Sequence, residues 1–131
     1  MKTTKIFNKL SKTFKKEESH LFHRGINTWN ELKALKNSDI SDLVRQGCGS
    51  NRNFRCLRCI ASFICDLDIQ QDEAALLMHS GVPSVEALAN SYPEEIYTKI
   101  TRLEIILGTK RSPSASLEKL SEWIEKAKEK S

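Results

Sequence analysis

Leu21-Phe22-His23-Arg24-Gly25-Ile26-Asn27-Thr28-Trp29-Asn30-Glu31-Leu32 returns 56 positions later as Leu77-Met78-His79-Ser80-Gly81-Val82-Pro83-Ser84-Val85-Glu86-Ala87-Leu88. At that offset leucine, histidine, glycine, an aliphatic residue, a hydroxyl and leucine recur in order. Asp39-Ile40 with Val44 then matches Glu95-Ile96 with Ile100. In each copy the glycine suits the left-handed position that closes a helix, because it has no Cβ to clash there. The aliphatic residue after it packs back, and Thr28 or Ser84 is placed to cap a new short helix. Thr28-x-x-Glu31 adds a reciprocal capping box. His23 and His79 fall in last helical turns, where a histidine can meet the free carbonyls. Two such units can cover each other's apolar faces.

Outward from the repeat the pattern stays helical. Ile40, Leu43 and Val44 share a face of a helix capped by Asn37 or Ser38. A helix over about 51–66 carries Phe54, Leu57, Ala61 and Ile64, and Asp68 with Gln71 reads as the capping pair of a helix over 69–80. Pro93 opens a further helix bearing Ile96, Ile100, Leu103 and Leu107 at intervals of four, three and four. Ser112 or Ser114 is placed to cap a final helix with Leu117, Leu120, Ile124 and Ala127 on one side. No β-alternation of useful length occurs, so the expected fold is all-α, with short helices joined by tight connections. The expected organisation is a basic amphipathic N-terminal helix over 1–18, a duplicated core over 19–108, a linker over 109–116 (TKRSPSAS) and a C-terminal docking helix over 117–131.

With 131 residues, 39% of them hydrophobic and 29% charged, the chain has the length and composition of one small globular domain with little room for a deep pocket. No continuous apolar run is long enough for a secretory leader or a membrane span. Four cysteines crowd between 48 and 65, which reads as reduced thiols in a cytoplasmic protein. Cys56-x-x-Cys59 invites a metal reading, yet both sulfurs lie mid-helix and no histidine stands between His23 and His79. Buried small hydrophobes are the commoner use of such cysteines, so no metal and no cofactor is expected. No Ser-His-Asp set, phosphate-cradling lysine loop or paired-carboxylate site stands out, and no enzymatic activity is expected.

The formal charge of +4 is unevenly spread. Met1 to Lys16 holds six lysines, Lys5, Lys9 and Lys12 among them, and no acid. Between Asp42 and Asp66 lie Arg45, Arg52, Arg55 and Arg58, again with no acid. Ile6, Leu10 and Phe14 are spaced as one helical stripe with the lysines largely off it. Such a segment can dock on its own domain, enter a partner's groove or lie on a membrane surface. Arg52, Arg55 and Arg58 are successively three apart, so each shares a helix side with the next and forms a basic ridge beside Gly47-Cys48-Gly49.

Val44-Arg45-Gln46-Gly47-Cys48-Gly49 resembles the hydrophobic-x-Gly-hydrophobic-Gly hairpin of the helix-hairpin-helix class, with Cys48 as the small apolar residue. Residues 20–69 also resemble the C-terminal domain of the bacterial RNA polymerase α subunit, through Gly25-Ile26-x-Thr28-x-x-x-Leu32, Asp39-Ile40-x-x-Leu43 and Gly49-Ser50. Residues 67–127 are similar to an uncharacterised cyanobacterial family with a helix-hairpin-helix-like fold. The likeness is carried by Glu73 to Ser80, Gly81-Val82-x-Ser84-Val85-x-Ala87-Leu88-Ala89, Arg102-Leu103 and Trp123-Ile124-x-x-Ala127. These resemblances imply a tandem helix-hairpin-helix-like repeat with flanking helices. They also imply backbone amides at Gly47 and Gly49 offered to phosphate. The second unit's corresponding hairpin, around Asp68 to Asp72, lacks glycine and carries acids that would repel phosphate.

The expected function is therefore a non-catalytic binding domain that contacts DNA or RNA backbone without strong sequence specificity. Its contacts would be Arg45, Gly47, Gly49, Arg52, Arg55, Arg58, Lys5, Lys9 and Lys12. The alternative is a protein-protein interaction adaptor or scaffold that uses the same fold with no nucleic-acid contact.

Overall fold

The structure, a computed structural model, describes residues 12–106 and 116–130. A single 3₁₀ turn at Lys12–Phe14 leads into α1 (Lys15–His23), α2 (Trp29–Lys33), α3 (Asn37–Arg45) and α4 (Asn51–Leu67). There follow α5 (Gln71–His79), α6 (Val85–Ala89), α7 (Pro93–Ile106) and α8 (Leu117–Lys130). No strand occurs among the described residues, and the architecture is all-α as expected. The chain divides into two compact units, Met1–Cys65 and Asp66–Ser131, the division falling in the last turn of α4.

Three pairs of helices begin 56 residues apart: α1 and α5 at 15 and 71, α2 and α6 at 29 and 85, α3 and α7 at 37 and 93. Matched side chains are buried alike. Leu21 and Leu77, and Leu32 and Leu88, are fully buried, as is Ile96, and its counterpart Ile40 is nearly so. Trp29 and Val85 occupy matched first positions of α2 and α6, both in the core.

The helix ends explain why these segments stop and turn together. Gly25 has φ +79° and Gly81 φ +100°. The Ile26 amide donates to the Leu21 carbonyl at 2.9 Å and the Val82 amide to the Leu77 carbonyl at 3.1 Å. Gly25 and Gly81 donate to Phe22 and Met78, both at 3.1 Å. Each end is thus a Schellman closure that satisfies carbonyls left over by the helix. A Cβ at either glycine would meet nothing within 4 Å, so alanine there is opposed by backbone conformation alone. Gly25→Ala and Gly81→Ala are each expected to cost about 1–2 kcal/mol in urea denaturation.

Two of the expected caps form as read. The Thr28 hydroxyl accepts from the Glu31 amide at 3.2 Å, and the Glu31 carboxylate accepts from the Thr28 amide at 3.2 Å. Ser84 accepts from the Ala87 amide at 3.0 Å. Three others differ. α3 opens with the Lys36 amide donating to Asp39 at 2.9 Å, and α5 with the Gln70 amide donating to Glu73 at 2.9 Å. An acid in the third helical position accepts the entering amide, so no hydroxyl or Asx side chain is needed at the cap. Asp68 instead takes the left-handed conformation at φ 57°, which aspartate tolerates better than most residues. α8 is capped by Ser116, whose hydroxyl accepts from Lys119 at 3.2 Å, rather than by Ser112 or Ser114. Most of the expected linker lies outside the described residues, as does residue 108.

In the second unit α8 packs on α6 and α7 through buried Leu120, Trp123, Ile124 and Ala127. Lys126 donates to the Leu67 carbonyl at 3.2 Å, and Lys119 pairs with Glu73 at 2.6 Å. Burial pushes the Glu73 carboxyl up, but the Lys119 ammonium and the Gln70 amide outweigh it and hold it below its ordinary value. A depressed carboxyl contributes stability above its unfolded pKa, and that contribution fades as pH falls through the folded one. The urea-midpoint gap between the wild type and Glu73→Gln should be widest at neutral pH. It should close as the pH drops through the carboxylate range.

Candidate functional site

α3 ends at Arg45 for the reason α1 ends at His23. Gly47 has φ +79°, its amide donates to Val44 at 3.0 Å, and the Cys48 amide donates to Leu43 at 3.0 Å. Cys48, 2% exposed, is the apolar plug of this third closure. Arg24 and Gln46, the cap residues of α1 and α3, are hydrogen-bonded to each other through their side chains. The positions 56 residues further on, Leu103 to Ile105, continue inside α7. The expected second hairpin, around Asp68 to Asp72, is the turn between α4 and α5 and the start of α5, and among the described residues no glycine closure like that of Gly47 follows in α7.

α4 starts immediately afterwards. Ser50 caps it, its hydroxyl accepting from the Asn53 amide at 3.0 Å and its carbonyl from the Phe54 amide at 3.1 Å. Over this start lies Glu17 of α1, only 3% exposed. Its Oε2 accepts from the Ser50 amide at 3.0 Å and from Asn53 Nδ2 at 3.2 Å. Asn53 Nδ2 also donates to the Thr13 carbonyl at 3.0 Å. A carboxylate at a helix N-terminus is favoured by the unsatisfied amides and the helix dipole. Gly49 lets it come this close, since a Cβ there would lie 2.4 Å from Glu17 Oε2 and 2.5 Å from its Cγ. The second oxygen, Oε1, is buried with no partner among the described residues.

This geometry alters what the hairpin can offer. The amides of Gly47 and Cys48 close α3, and the Ser50 amide is held by Glu17. Glu17 lies beside Gly49, where the resemblance to the helix-hairpin-helix class implies a phosphate.

The arginines divide in two. Arg45 is paired with Asp42 one turn back in its own helix, and half-buried Arg58 donates to the Leu35 carbonyl at 3.1 Å. Arg52 and Arg55 are exposed, and among the described residues no carboxylate pairs with either. Lys12, Lys15 and Lys16 are likewise exposed, while Lys5 and Lys9 lie outside the described residues. Thr13 and Glu17 are the residues that hold Asn53, so their sequence neighbours Lys12 and Lys16 are brought to the end of α4 that carries Arg52. The structure thus brings the segment of Lys12 and Lys16 to the start of α4 that carries Arg52, while Arg45 is engaged in an exposed pair with Asp42 and Arg58 in a bond to the Leu35 carbonyl. The charge follows the division of the chain. Lysines and arginines less acids come to 13 − 5 = +8 for Met1–Cys65 and to 8 − 12 = −4 for Asp66–Ser131.

Glu17 is the residue that sequence reading missed. It is the first acid after the lysine run, and no local periodicity separates it from half-buried Glu18 as the buried one. The one sign was Gly49, which reads equally well as room for a ligand and as room for a neighbour.

The four cysteines are free thiols. Burial, and secondarily the neighbouring Cys56, pushes the Cys59 thiol up to about 12. A thiol held protonated is a poor nucleophile, so Cys59 is expected to resist iodoacetamide in the native protein at pH 8 and to react on unfolding. Mass spectrometry of the partly labelled chain checks this. Among the described residues no three His, Cys, Asp or Glu side chains come together as a metal site, and no helix is long and apolar enough to cross a membrane.

Short helices closed by glycine, in one basic unit and one acidic unit, define an all-α protein. The chain belongs to the family described as Domain of unknown function (DUF4332), which matches residues 11–130. No curated protein and no solved structure matches it.

Proposed function

We propose that this is a non-catalytic binding domain whose first unit grips the backbone of nucleic acid, DNA or RNA, through side chains. The observation that carries this reading is the charge of +8 on Met1–Cys65 together with exposed cations at the adjoining starts of α1 and α4, of which Arg52 and Arg55 have no carboxylate partner among the described residues. Such a surface attracts phosphates by counterion release and reads no base edges, so sequence specificity is weak. We further infer that residues 44–54 are a helix-hairpin-helix-like element in a duplicated chain, the matched helix starts being the support for duplication. In this element Glu17 stands in for the phosphate, and the lysines and arginines around it make the external contacts.

Fluorescence anisotropy with labelled duplex and single-stranded oligonucleotides, over a salt series, tests the proposal. Five cationic contacts predict a log–log slope of about −4.5 on B-DNA. The absence of binding at low salt would leave the protein-interaction adaptor as the reading.

A further inference from the structure

The second unit holds a cavity of about 330 Å³ between the α6–α7 corner, residues 89–93, and Ser121, Ile124, Glu125 and Lys128 of α8. Its volume lies at the low end of the ~300–1,000 Å³ typical of ligand pockets. The first unit shows what fits such a corner. The corresponding corner, 56 residues earlier, is residues 33–37, and its backbone is the same. Leu35 donates to Leu32 at 3.2 Å, and Ser91 to Leu88 at 3.0 Å. Ala34 donates to Asn30, and Asn90 to Glu86, both at 3.2 Å.

In the first unit this corner is closed from α4: Arg58 donates through NH1 to the Leu35 carbonyl. α4 and α8 can be registered by their buried residues. Leu57, Ile60, Ala61 and Ile64 on α4 and Leu120, Trp123, Ile124 and Ala127 on α8 share intervals of three, one and three. In that register Arg58 falls on Ser121, and at the 56-residue offset of the two corners Leu35 falls on Ser91; both serines line the cavity. The second unit has kept the corner and exchanged the arginine that fills it for a two-atom side chain.

We propose that the α6–α7 corner of the second unit binds an arginine side chain of a partner protein, its guanidinium taking the place that Arg58 takes in the first unit. The surroundings suit that ligand. The Ser91 carbonyl and the Ser121 hydroxyl can accept guanidinium protons, and Glu125 supplies the opposite charge. Tyr92, 74% exposed at the rim, offers a ring face on which a planar guanidinium stacks better than an ammonium does. The acidic balance of this unit, −4, favours a cationic partner. Lys128 opposes it from the rim. It is 56% exposed and lies 3.6 Å from Glu125, so a guanidinium would compete with it for that carboxylate.

The test is a titration of the isotope-labelled full chain with Gly-Ser-flanked hexapeptides carrying one arginine, one lysine or one citrulline, followed by amide chemical shifts. The arginine peptide is expected to shift residues 89–93 and 121–128 with a dissociation constant on the order of 1 mM. The lysine peptide should bind about tenfold more weakly. Ser121→Arg should supply the guanidinium from within, abolish the response and raise the thermal midpoint. Should that variant fail to fold, Glu125→Gln is expected to weaken arginine binding about threefold and Lys128→Ala to strengthen it by a similar factor. Equal responses to arginine and lysine, shifts mapping elsewhere, or no shift at 10 mM peptide would each overturn the proposal.

Discussion

Alanine in place of Gly49 is expected to destabilise the protein by about 3 kcal/mol, read as a fall in the urea midpoint at unchanged slope. The cause is a clash rather than a forbidden backbone angle. The new Cβ would fall 2.4–2.7 Å from three atoms of the Glu17 side chain. That side chain is buried and cannot swing away without releasing the Ser50 amide and Asn53 Nδ2, the bonds by which α1 holds the start of α4. The cost should therefore depend on Glu17. With Glu17→Ala in place, the same Gly49→Ala change is expected to cost less than about 1 kcal/mol, giving a coupling of about 2 kcal/mol in a double-mutant cycle. Glu17→Ala alone has two opposing parts, an amide left without its acceptor and a buried carboxylate with one unsatisfied oxygen removed. The cycle is for that reason more informative than either single change.

Leu21→Ala and Leu77→Ala are expected to cost about 3 kcal/mol each, within the range of fully buried leucines cut back to alanine. Both leucines lie two positions before the last residue of their helix, both are inaccessible to solvent, and both carbonyls receive the amide that follows the closing glycine. The alanine variants keep those backbone bonds and lose only the packing. The two costs should agree within about 1 kcal/mol if the matched positions are packed to the same degree. Chemical denaturation of the two single variants checks this, and a difference above about 2 kcal/mol would show that matched sequence conceals unequal cores.

What could be read in the chain was what local chemistry decides. Gly25 and Gly81 stop helices because of an angle that each residue sets itself, and Thr28 and Ser84 cap because their hydroxyls reach amides three residues on. The caps at Lys36 and Gln70 escaped because there the acceptor is an acid already inside the helix, while nearby Ser38 and Asp68 looked better qualified. The candidate site was legible only in outline. The basic residues were visible, but their division into paired and unpaired groups rests on contacts such as Arg58 with Leu35, 23 residues apart, which no periodicity encodes. Glu17 and Ser50 are 33 residues apart, and their meeting reverses the reading of Gly49 from an opening for phosphate to a seat for a carboxylate. The cavity at Ser121 required both offsets, 56 for the corner and 63 for the last helix, and the second emerges only from which residues are buried.

We propose that the first unit binds nucleic-acid backbone with exposed side chains and not with the hairpin amides. The most direct measurement is the salt dependence of duplex affinity for the wild type and for Arg52→Ala/Arg55→Ala. Steep salt dependence is expected in the wild type and a slope shallower by about 1.8 in the double variant, about 0.9 for each lost phosphate contact. Binding that is absent at low salt, or a slope that the two substitutions leave unchanged, would contradict it.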